Sequence, residues 1–218
     1  MAQLFPKWAD RVPKRLQLGI IVLITAIVFG FWYFGSPEFL EVGYAPEQPI
    51  PYSHDLHAGE LGIDCRYCHG GAEVSAAASI PSTQTCMTCH ETIETDNPEL
   101  LDPLFESWET GDPIEWIRVH KLPEHSYFDH SIHVNAGVGC DTCHGRVDRM
   151  ETVMKAESMS MSWCLDCHNN PEENLRPVEE VTNLGWEPPD EDYKKEFGEM
   201  MVSKRNIVAP VYCNACHR

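Results

Sequence analysis

Ten cysteines at one repeated spacing constrain this chain more than any other feature. They form five C-x-x-C pairs, each followed at once by a histidine, and no cysteine is left over. The five motifs are Cys65, Cys68 and His69; Cys86, Cys89 and His90; Cys140, Cys143 and His144; Cys164, Cys167 and His168; and Cys213, Cys216 and His217. In C-x-x-C-H, the two thiols attach one haem and the histidine binds its iron. The sequence therefore predicts five haem c groups, with these histidines as proximal ligands.

Two other uses of paired cysteines fit this pattern poorly. A zinc ribbon combines two C-x-x-C pairs and needs no histidine directly after each. A disulfide across two intervening residues closes a small, strained ring of a redox rather than structural kind. Haem attachment is the interpretation that also accounts for the five histidines.

An uncharged apolar segment near the N-terminus predicts a membrane anchor. Residues 16–35 read LQLGIIVLITAIVFGFWYFG, and at about 1.5 Å per helical residue they match a hydrocarbon core of about 30 Å. Four basic residues precede it against a single acid: Lys7, Arg11, Lys14 and Arg15. This excess favours a cytoplasmic N-terminus. The alternative is a cleaved signal peptide, but the apolar run is long for one and no small-x-small cleavage site follows it.

The predicted organisation follows from this anchor. We expect residues 1–15 to form a cytoplasmic basic N-terminus and residues 16–36 to form a transmembrane signal anchor in the bacterial inner membrane. Residues 37–218 are expected to form a periplasmic haem domain. Haem c attachment takes place outside the cytoplasm, which agrees with this orientation.

The predicted exported domain is strongly acidic. The whole chain has a formal net charge of −18, and beyond the N-terminal segment 12 Lys and Arg face 33 Asp and Glu, a formal charge of −21. Nucleic acid and anionic lipid are therefore implausible partners. An acidic surface suits a basic soluble redox partner, and it also simply keeps a domain soluble.

Two stretches of the domain repeat one another. YSHDLHAGELGIDCRYCHG at 52–70 aligns with FDHSIHVNAGVGCDTCHG at 128–145, and a second C-x-x-C-H motif follows each. The domain thus reads as two dihaem modules, an irregular arm with at most one short helix, and a fifth haem motif: 50–91, 126–170, 171–212 and 213–217. The predicted fold class is mainly α with much irregular structure, a haem-packed multihaem cytochrome c domain on one transmembrane helix, with short helices after the attachment motifs.

One helix is predicted between the two modules. Asn97 suits a helix cap, Pro98 the first turn and Gly111 the end. An apolar stripe at helical spacing predicts a packing face: Leu100, Leu101, Leu104, Phe105 and Trp108.

Distal iron ligands must come from the remaining histidines or from methionines. His54, His57, His130 and His133 occur as H-x-x-H in repeated context before a haem motif, so we expect each to bind an iron. Two histidines three residues apart cannot reach one iron from the same side, so each pair should serve two neighbouring haems.

The fifth distal ligand is left open between two kinds of residue. His120 is one candidate, and His125 is not expected to bind iron. The other candidates are the methionines that precede the fourth motif: Met150, Met154, Met159 and Met161. Methionine ligation would raise the potential of that haem relative to two histidines.

These modules resemble the class III multihaem cytochromes. Over nearly its full length the chain is similar to the pentahaem cytochrome subunits (ActA) of alternative complex III, through its anchor, PYSHDLHAGELGIDCRYCHGGAE, PSTQTCMTCHE, WIRVHKLPEHSYFDHSIHVNAGVGCDTCHGRV, MSWCLDCHNNP and the last motif, CNACH. The resemblance implies electron relay within a bacterial quinol-oxidising complex. It also implies partners: an iron–sulfur protein, quinol-oxidising membrane subunits, a monohaem cytochrome c, and a cytochrome c or terminal oxidase downstream.

Two alternatives come from other functional classes. One is a quinol dehydrogenase anchor cytochrome of the NapC/NrfH type, but there the first haem motif follows the membrane helix closely, whereas Cys65 comes some thirty residues after Gly35. The other is a catalytic multihaem reductase, which needs a haem with an open position. No variant attachment motif and no acid–base or nucleophile constellation stands out, so no catalytic site of its own is expected.

Overall fold

The computed structural model describes residues 5–6, 8–93, 95 and 97–217, so Lys7 of the basic N-terminal segment lies outside the described residues. The chain divides into two compact units, Met1–Val42 and Gly43–Arg218. Within the described residues the secondary structure is helical, without strands and with two isolated β-bridges, Ser126 with His217 and Val138 with Leu175. The predicted fold class, mainly α with much irregular structure, is confirmed.

The first unit is dominated by one apolar helix. A 3₁₀ turn over Ala9–Arg11 leads into α1, Val12–Phe34, and a short helix α2 follows at Pro37–Leu40. The stretch Ala9–Phe34 is long and apolar enough to cross a membrane, and none of its most apolar window is buried against protein. Exposed apolar side chains all round a helix are compatible with a lipid environment.

In the second unit both cysteines of each C-x-x-C-H motif lie within a helix, whereas short helices after the motifs were expected. The helices are α3 Cys65–Cys68, α4 Thr83–His90, α5 Asp102–Thr110, α6 His130–Ala136, α7 Cys140–His144, α8 Met161–Asn169, α9 Glu191–Arg205 and α10 Cys213–Cys216. A π-helical turn covers Asp55–Glu60, and 3₁₀ turns cover Pro98–Leu101, Val147–Arg149, Pro171–Asn174 and Val178–Glu180. Residues three apart on a helical turn are neighbours, so this conformation brings the two thiols of a motif to one side.

The helix predicted between the modules forms in two parts. The 3₁₀ turn over Pro98–Leu101 precedes α5, and the Asn97 side chain makes no capping hydrogen bond. Gly111 ends α5 in the left-handed conformation, with φ of 79°, as its position suggested. Of the apolar stripe, Leu101 and Leu104 are buried, whereas Trp108 is half exposed.

The C-terminal arm holds more helix than the sequence suggested. Its main element is α9, which is fifteen residues long and begins at Glu191. Asp190 caps it, because the Asp190 side chain accepts a hydrogen bond from the Tyr193 N–H at 2.7 Å. It ends at Asn206 in the left-handed conformation, after Lys204 and Arg205, whose charges suit a helix C-terminus. Weak amphipathicity and a polar surface hid this helix in the sequence.

The apolar core of the second unit is small. Among the described residues one buried cluster joins Ile50, Met87, Leu101 and Leu104, against which Ile114 packs. So few buried apolar side chains cannot form the interior of a domain this size alone, which fits a domain built around bound prosthetic groups.

Candidate haem-binding sites

The five motifs define five candidate sites, numbered in chain order from site 1 at His69 to site 5 at His217. No disulfide joins any of the ten motif cysteines. Cys89 in site 2 and Cys213 in site 5 are exposed residues, whereas the other eight cysteines are partly buried. Sites 2 and 5 thus each have one cysteine at the protein surface.

A second histidine ring faces the motif histidine at every site. The ring centres are separated by 6.5 Å for His54 and His69, 6.2 Å for His57 and His90, 6.3 Å for His130 and His144, 6.1 Å for His133 and His168, and 5.6 Å for His125 and His217. A metal–imidazole bond is about 2 Å and the ring nitrogen lies about 1 Å from the ring centre, so two rings that share one metal have centres about 6 Å apart. The separations therefore fit a haem iron between each pair.

Backbone carbonyls orient most of these rings. The Nδ1 atoms of six of them lie within hydrogen-bonding distance of a carbonyl oxygen: His57 of Ser53, His69 of Ser79, His130 of Ala76, His133 of Asp129, His168 of Pro210 and His217 of His125. A carbonyl can only accept, so Nδ1 carries the proton and Nε2 keeps its lone pair. That tautomer leaves Nε2 available to bind a metal ion.

Burial keeps several of these imidazoles neutral. Burial, followed by the nearby rings of His120 and other histidines, lowers the pKa of His144 to about 3. Burial and the adjacent His69 lower the pKa of His54 to about 4. A neutral imidazole at pH 7 is the form that binds iron.

The two H-x-x-H pairs have matching geometry. Tyr52 stacks on His57 at 4.3 Å and meets His54 edge-on at 4.8 Å. Phe128 stacks on His133 at 4.5 Å and meets His130 edge-on at 4.8 Å. The aromatic residue that opens each sequence repeat therefore contacts both ligand candidates of its module. The two histidines of each pair face the motif histidines of two different sites.

At site 5 the facing ring belongs to His125. Its ring is inclined by 27° to that of His217, and an antiparallel bridge joins Ser126 to His217. The Tyr127 N–H also donates to the Cys216 carbonyl at 2.7 Å. Sequence reasoning passed over His125 because it lacks repeated context. Counting was the one signal available, since six histidines remained for five positions.

The other candidates for the fifth ligand lie elsewhere. His120 sits beside site 3, where its ring centre is 4.3 Å from that of His144 and nearly perpendicular to it, at 78°. Met154 and Met161 are largely exposed, Met150 packs near Gly145, and Met159 adopts a left-handed backbone conformation with φ of 49°. His125 is thus the candidate that faces His217.

A buried arginine fastens site 3 to the C-terminal arm. Arg176 is 8% exposed, and its guanidinium lies 2.8 Å from the Asp141 carboxylate inside the third motif. Its side chain also donates to the Asn183 carbonyl at 3.2 Å and lies over the Trp186 ring at 5.3 Å. A planar, permanently charged group suits this combination of contacts.

Hydrogen bonds connect site 1 to site 3. The carbonyls that accept from His69 and His130 belong to one short segment, Ala76–Ser79. Val181 and Thr182 likewise connect the two motifs. The Val181 carbonyl accepts from the Cys140 N–H at 3.0 Å, and the Thr182 hydroxyl donates to the carboxylate of Asp64, which precedes motif 1.

The remaining links extend this connection in both directions. One turn carries His54 and His57, which joins site 1 to site 2, and one turn carries His130 and His133, which joins site 3 to site 4. Pro210, three residues before site 5, accepts from His168 of site 4. These contacts connect the sites in the order 2, 1, 3, 4, 5, which differs from their order in the chain.

The chain is similar in sequence to known multihaem cytochromes c. Residues 126–218, with sites 3, 4 and 5, match the family of cytochrome c7 and related cytochrome c. A stretch of 123 residues, 56% of this chain, is 35% identical to the multihaem cytochrome c subunit of menaquinone reductase from Nitratidesulfovibrio vulgaris. The chain spans about half of that relative, 55% of its length. It thus carries a multihaem cytochrome c domain, similar over residues 126–218 to cytochrome c7 and related cytochromes c.

Proposed function

We propose that this chain is a membrane-anchored cytochrome with five haems c, which relays single electrons within a quinone-linked respiratory complex. The observation that carries the proposal is the set of five facing histidine pairs, each with a ring separation suited to one iron. Bound haem would supply an iron that changes between its ferrous and ferric forms without making or breaking other bonds.

The chain's own residues hold these groups. The ten motif cysteines attach the macrocycles, and the five motif histidines are the proximal ligands. His54, His57, His133, His130 and, at site 5, His125 are the distal ligands. Carbonyl acceptors at Nδ1 keep rings such as that of His130 oriented, and burial keeps the His144 imidazole neutral by lowering its pKa.

A relay role follows from this ligand set better than a catalytic one. Histidines on both sides of each metal position leave no open position for a substrate. The sites are linked in the order 2, 1, 3, 4, 5, and the exposed residues Cys89 and Cys213 belong to the two ends of that order. Sites 2 and 5 are therefore the natural points of exchange with partners.

The complex that we propose is of the alternative complex III type, at the cytoplasmic membrane. Support comes from the resemblance in anchor, ligand pairs and motif order, and from the similarity to a subunit of a menaquinone reductase. Helix α1 would be the single-pass anchor with its basic end in the cytoplasm, and the haem domain would lie in the periplasm. Partners would include an iron–sulfur protein, quinol-oxidising membrane subunits and a monohaem cytochrome c, with a cytochrome c or terminal oxidase downstream.

The reverse direction of electron flow is a second candidate. The relative's name describes reduction of menaquinone, so the chain would then pass electrons from a periplasmic donor toward the quinone pool. A quinol dehydrogenase anchor cytochrome of the NapC/NrfH type is the other alternative, in which this chain alone would oxidise quinol and feed a periplasmic reductase.

Purification of the tagged chain in detergent tests these proposals. We expect a pyridine haemochrome assay to give five haems per chain, and mass spectrometry to identify an iron–sulfur protein and polytopic membrane subunits. The complex should reduce cytochrome c with menaquinol, and the isolated chain should not. Three or fewer haems would contradict the haem assignment. Menaquinone reduction by a reduced cytochrome, without the opposite reaction, would favour the reverse direction of electron flow. Rapid haem reduction by menaquinol in the isolated chain would favour the quinol dehydrogenase anchor cytochrome.

A further inference from the structure

His120 is a partly buried histidine beside site 3, and its ring does not face the ring of a motif histidine across the expected iron position. Its ring centre lies 4.3 Å from that of His144, whereas two rings that share one metal need about 6 Å. The two rings are also nearly perpendicular, at 78°. His130 already faces His144 at 6.3 Å with nearly parallel rings. The axial positions at site 3 are thus accounted for without His120.

The outer nitrogen of His120 has no protein partner. Nε2 is buried from solvent, and no hydrogen-bond partner for it exists within the described part of the chain. A buried polar nitrogen without a partner costs free energy, about 1–3 kcal/mol, unless a bound group satisfies it. Such an atom beside a cofactor position points to the cofactor as its partner.

A buried lysine lies close to site 3. Lys155 is 3% exposed, and its backbone is held by hydrogen bonds with Tyr44 and Gly43. The next residue, Ala156, lies against Gly145, which directly follows His144. A lysine ammonium beside a cofactor position suits an anionic group of that cofactor.

We propose that His120 donates a hydrogen bond from Nε2 to a propionate carboxylate of the haem attached at Cys140 and Cys143, with Lys155 as the neighbouring cation. The inference rests on the proposed function in so far as it requires haem at site 3. Propionates are the anionic groups that a haem brings into the protein, and His120 contacts the proximal ligand of this site. A donor to a propionate offsets negative charge near the iron, so it raises the potential of that haem.

Three variants of the full chain, purified in detergent with its partners, test this role. His120→Phe fills the space against His144 without a donor, His120→Gln keeps a donor, and Lys155→Met removes the cation. We expect five low-spin haems in each variant by haemochrome assay and electron paramagnetic resonance. One of the five steps of a redox titration should move to lower potential in His120→Phe and Lys155→Met, and stay near its wild-type value in His120→Gln. The propionate bending modes of the resonance Raman spectrum should change in His120→Phe.

Each other outcome overturns the proposal in a recognisable way. A high-spin haem in His120→Phe would make His120 an axial ligand. Unchanged potentials and Raman modes in His120→Phe would reduce its role to packing against His144, and equal shifts in His120→Phe and His120→Gln would exclude the donor. Unmodified Cys140 and Cys143 in the wild-type protein, seen by peptide mass, would instead contradict the proposed function itself. If His120→Phe fails to fold, unchanged potentials in Lys155→Met contradict the proposal.

Discussion

A histidine binds iron only through a ring nitrogen that carries no proton. At the scale of single residues this requirement explains why so many Nδ1 atoms here meet backbone carbonyls, which can only accept. His217 shows the principle at the end of the chain, since its Nδ1 lies 3.2 Å from the carbonyl of His125. His125 therefore orients the His217 ring with its backbone carbonyl and faces the same ring with its side chain.

Replacement of His125 tests the ligand set at site 5. His125→Ala should leave one haem without its sixth ligand, so that one of five haems becomes high-spin in optical and electron paramagnetic resonance spectra. Met150→Leu and Met161→Leu are the matched controls and should leave all haems low-spin. The wild-type protein could instead show the near-infrared band typical of iron–methionine bonds, with an unchanged spin state in His125→Ala. That result would indicate that a methionine is the distal ligand at site 5.

Asp64 caps helix α3 and also contacts Thr182, which is distant in the sequence. Its carboxylate accepts from the Arg66 backbone and side chain at 2.8 Å and from the Thr182 hydroxyl at 3.1 Å. The Arg66 hydrogen bonds, more than that of Thr182, lower the pKa of Asp64 to about 2, from an ordinary value of 3.8. A carboxyl with a lowered pKa stabilises the folded state above its ordinary value, and this stabilisation disappears as the pH falls through about 2.

The Asp64→Asn variant should therefore show a pH-dependent loss of stability. Asparagine can still cap the helix but loses the charge opposite Arg66, so we expect a loss below about 1 kcal/mol at pH 7, small because both side chains are largely exposed. The difference from wild type should shrink as the pH falls from 5 toward 3, measured by urea denaturation of the haem-loaded protein. A difference that is constant over this range would rule out the ionic origin.

At the scale of elements, each distal pair depends on one helical turn. The π-helical turn carries His57, with His54 at its start, and α6 carries His130 and His133. In both modules the first ring pair is nearly parallel, with interplanar angles of 4° and 11°, and the second is tilted, by 52° and 34°. The sequence repeat is therefore also a repeat of ligand geometry.

Helix α9 packs so closely on the 3₁₀ turn Pro171–Asn174 that a side chain at Gly198 has no room. A Cβ atom there would lie 2.0 Å from the Glu172 carbonyl oxygen. In an open helix, alanine in place of glycine stabilises by about 1 kcal/mol. Here we expect Gly198→Ala to destabilise the protein by about 1–3 kcal/mol, because the helix must move away from the turn.

Thermal denaturation of Gly198→Ala beside Ser203→Ala measures this packing. Ser203 lies on the exposed side of the same helix, so its replacement should be neutral or slightly stabilising. A stabilised Gly198→Ala protein would mean that α9 does not pack on the turn.

At the scale of the whole molecule, the chain consists of a unit with one apolar helix and a unit with all the haem motifs. The second unit has its own small core and its own helix packing. Anchoring and haem binding are therefore expected to be separable.

Deletion of residues 1–42 behind a cleavable signal peptide tests that separation. We expect a protein that stays in solution without detergent and contains five haems per chain, because none of the motif residues or their facing histidines is removed. Sedimentation of the truncated protein with membranes would contradict the anchor role of α1, and loss of haem would show that the two units depend on each other.

The sequence by itself determined the five C-x-x-C-H motifs, the helical fold class and the apolar N-terminal helix. Each of these is a local property: the motif lies within five consecutive residues, and an apolar helix is an uninterrupted apolar stretch. The sequence also singled out His54, His57, His130 and His133 as ligand candidates, because the chain repeats their pattern.

Only the tertiary structure decided which rings face each other and how the sites are connected. His125 lies 92 residues before His217 in the chain, and no local pattern records the loop closure that brings them together. The same holds for the link between sites 1 and 3, where carbonyls of a loop after motif 1 hold a histidine of the second module. A distal ligand needs only one correctly placed side chain, so its position in the sequence is free while its position in space is not.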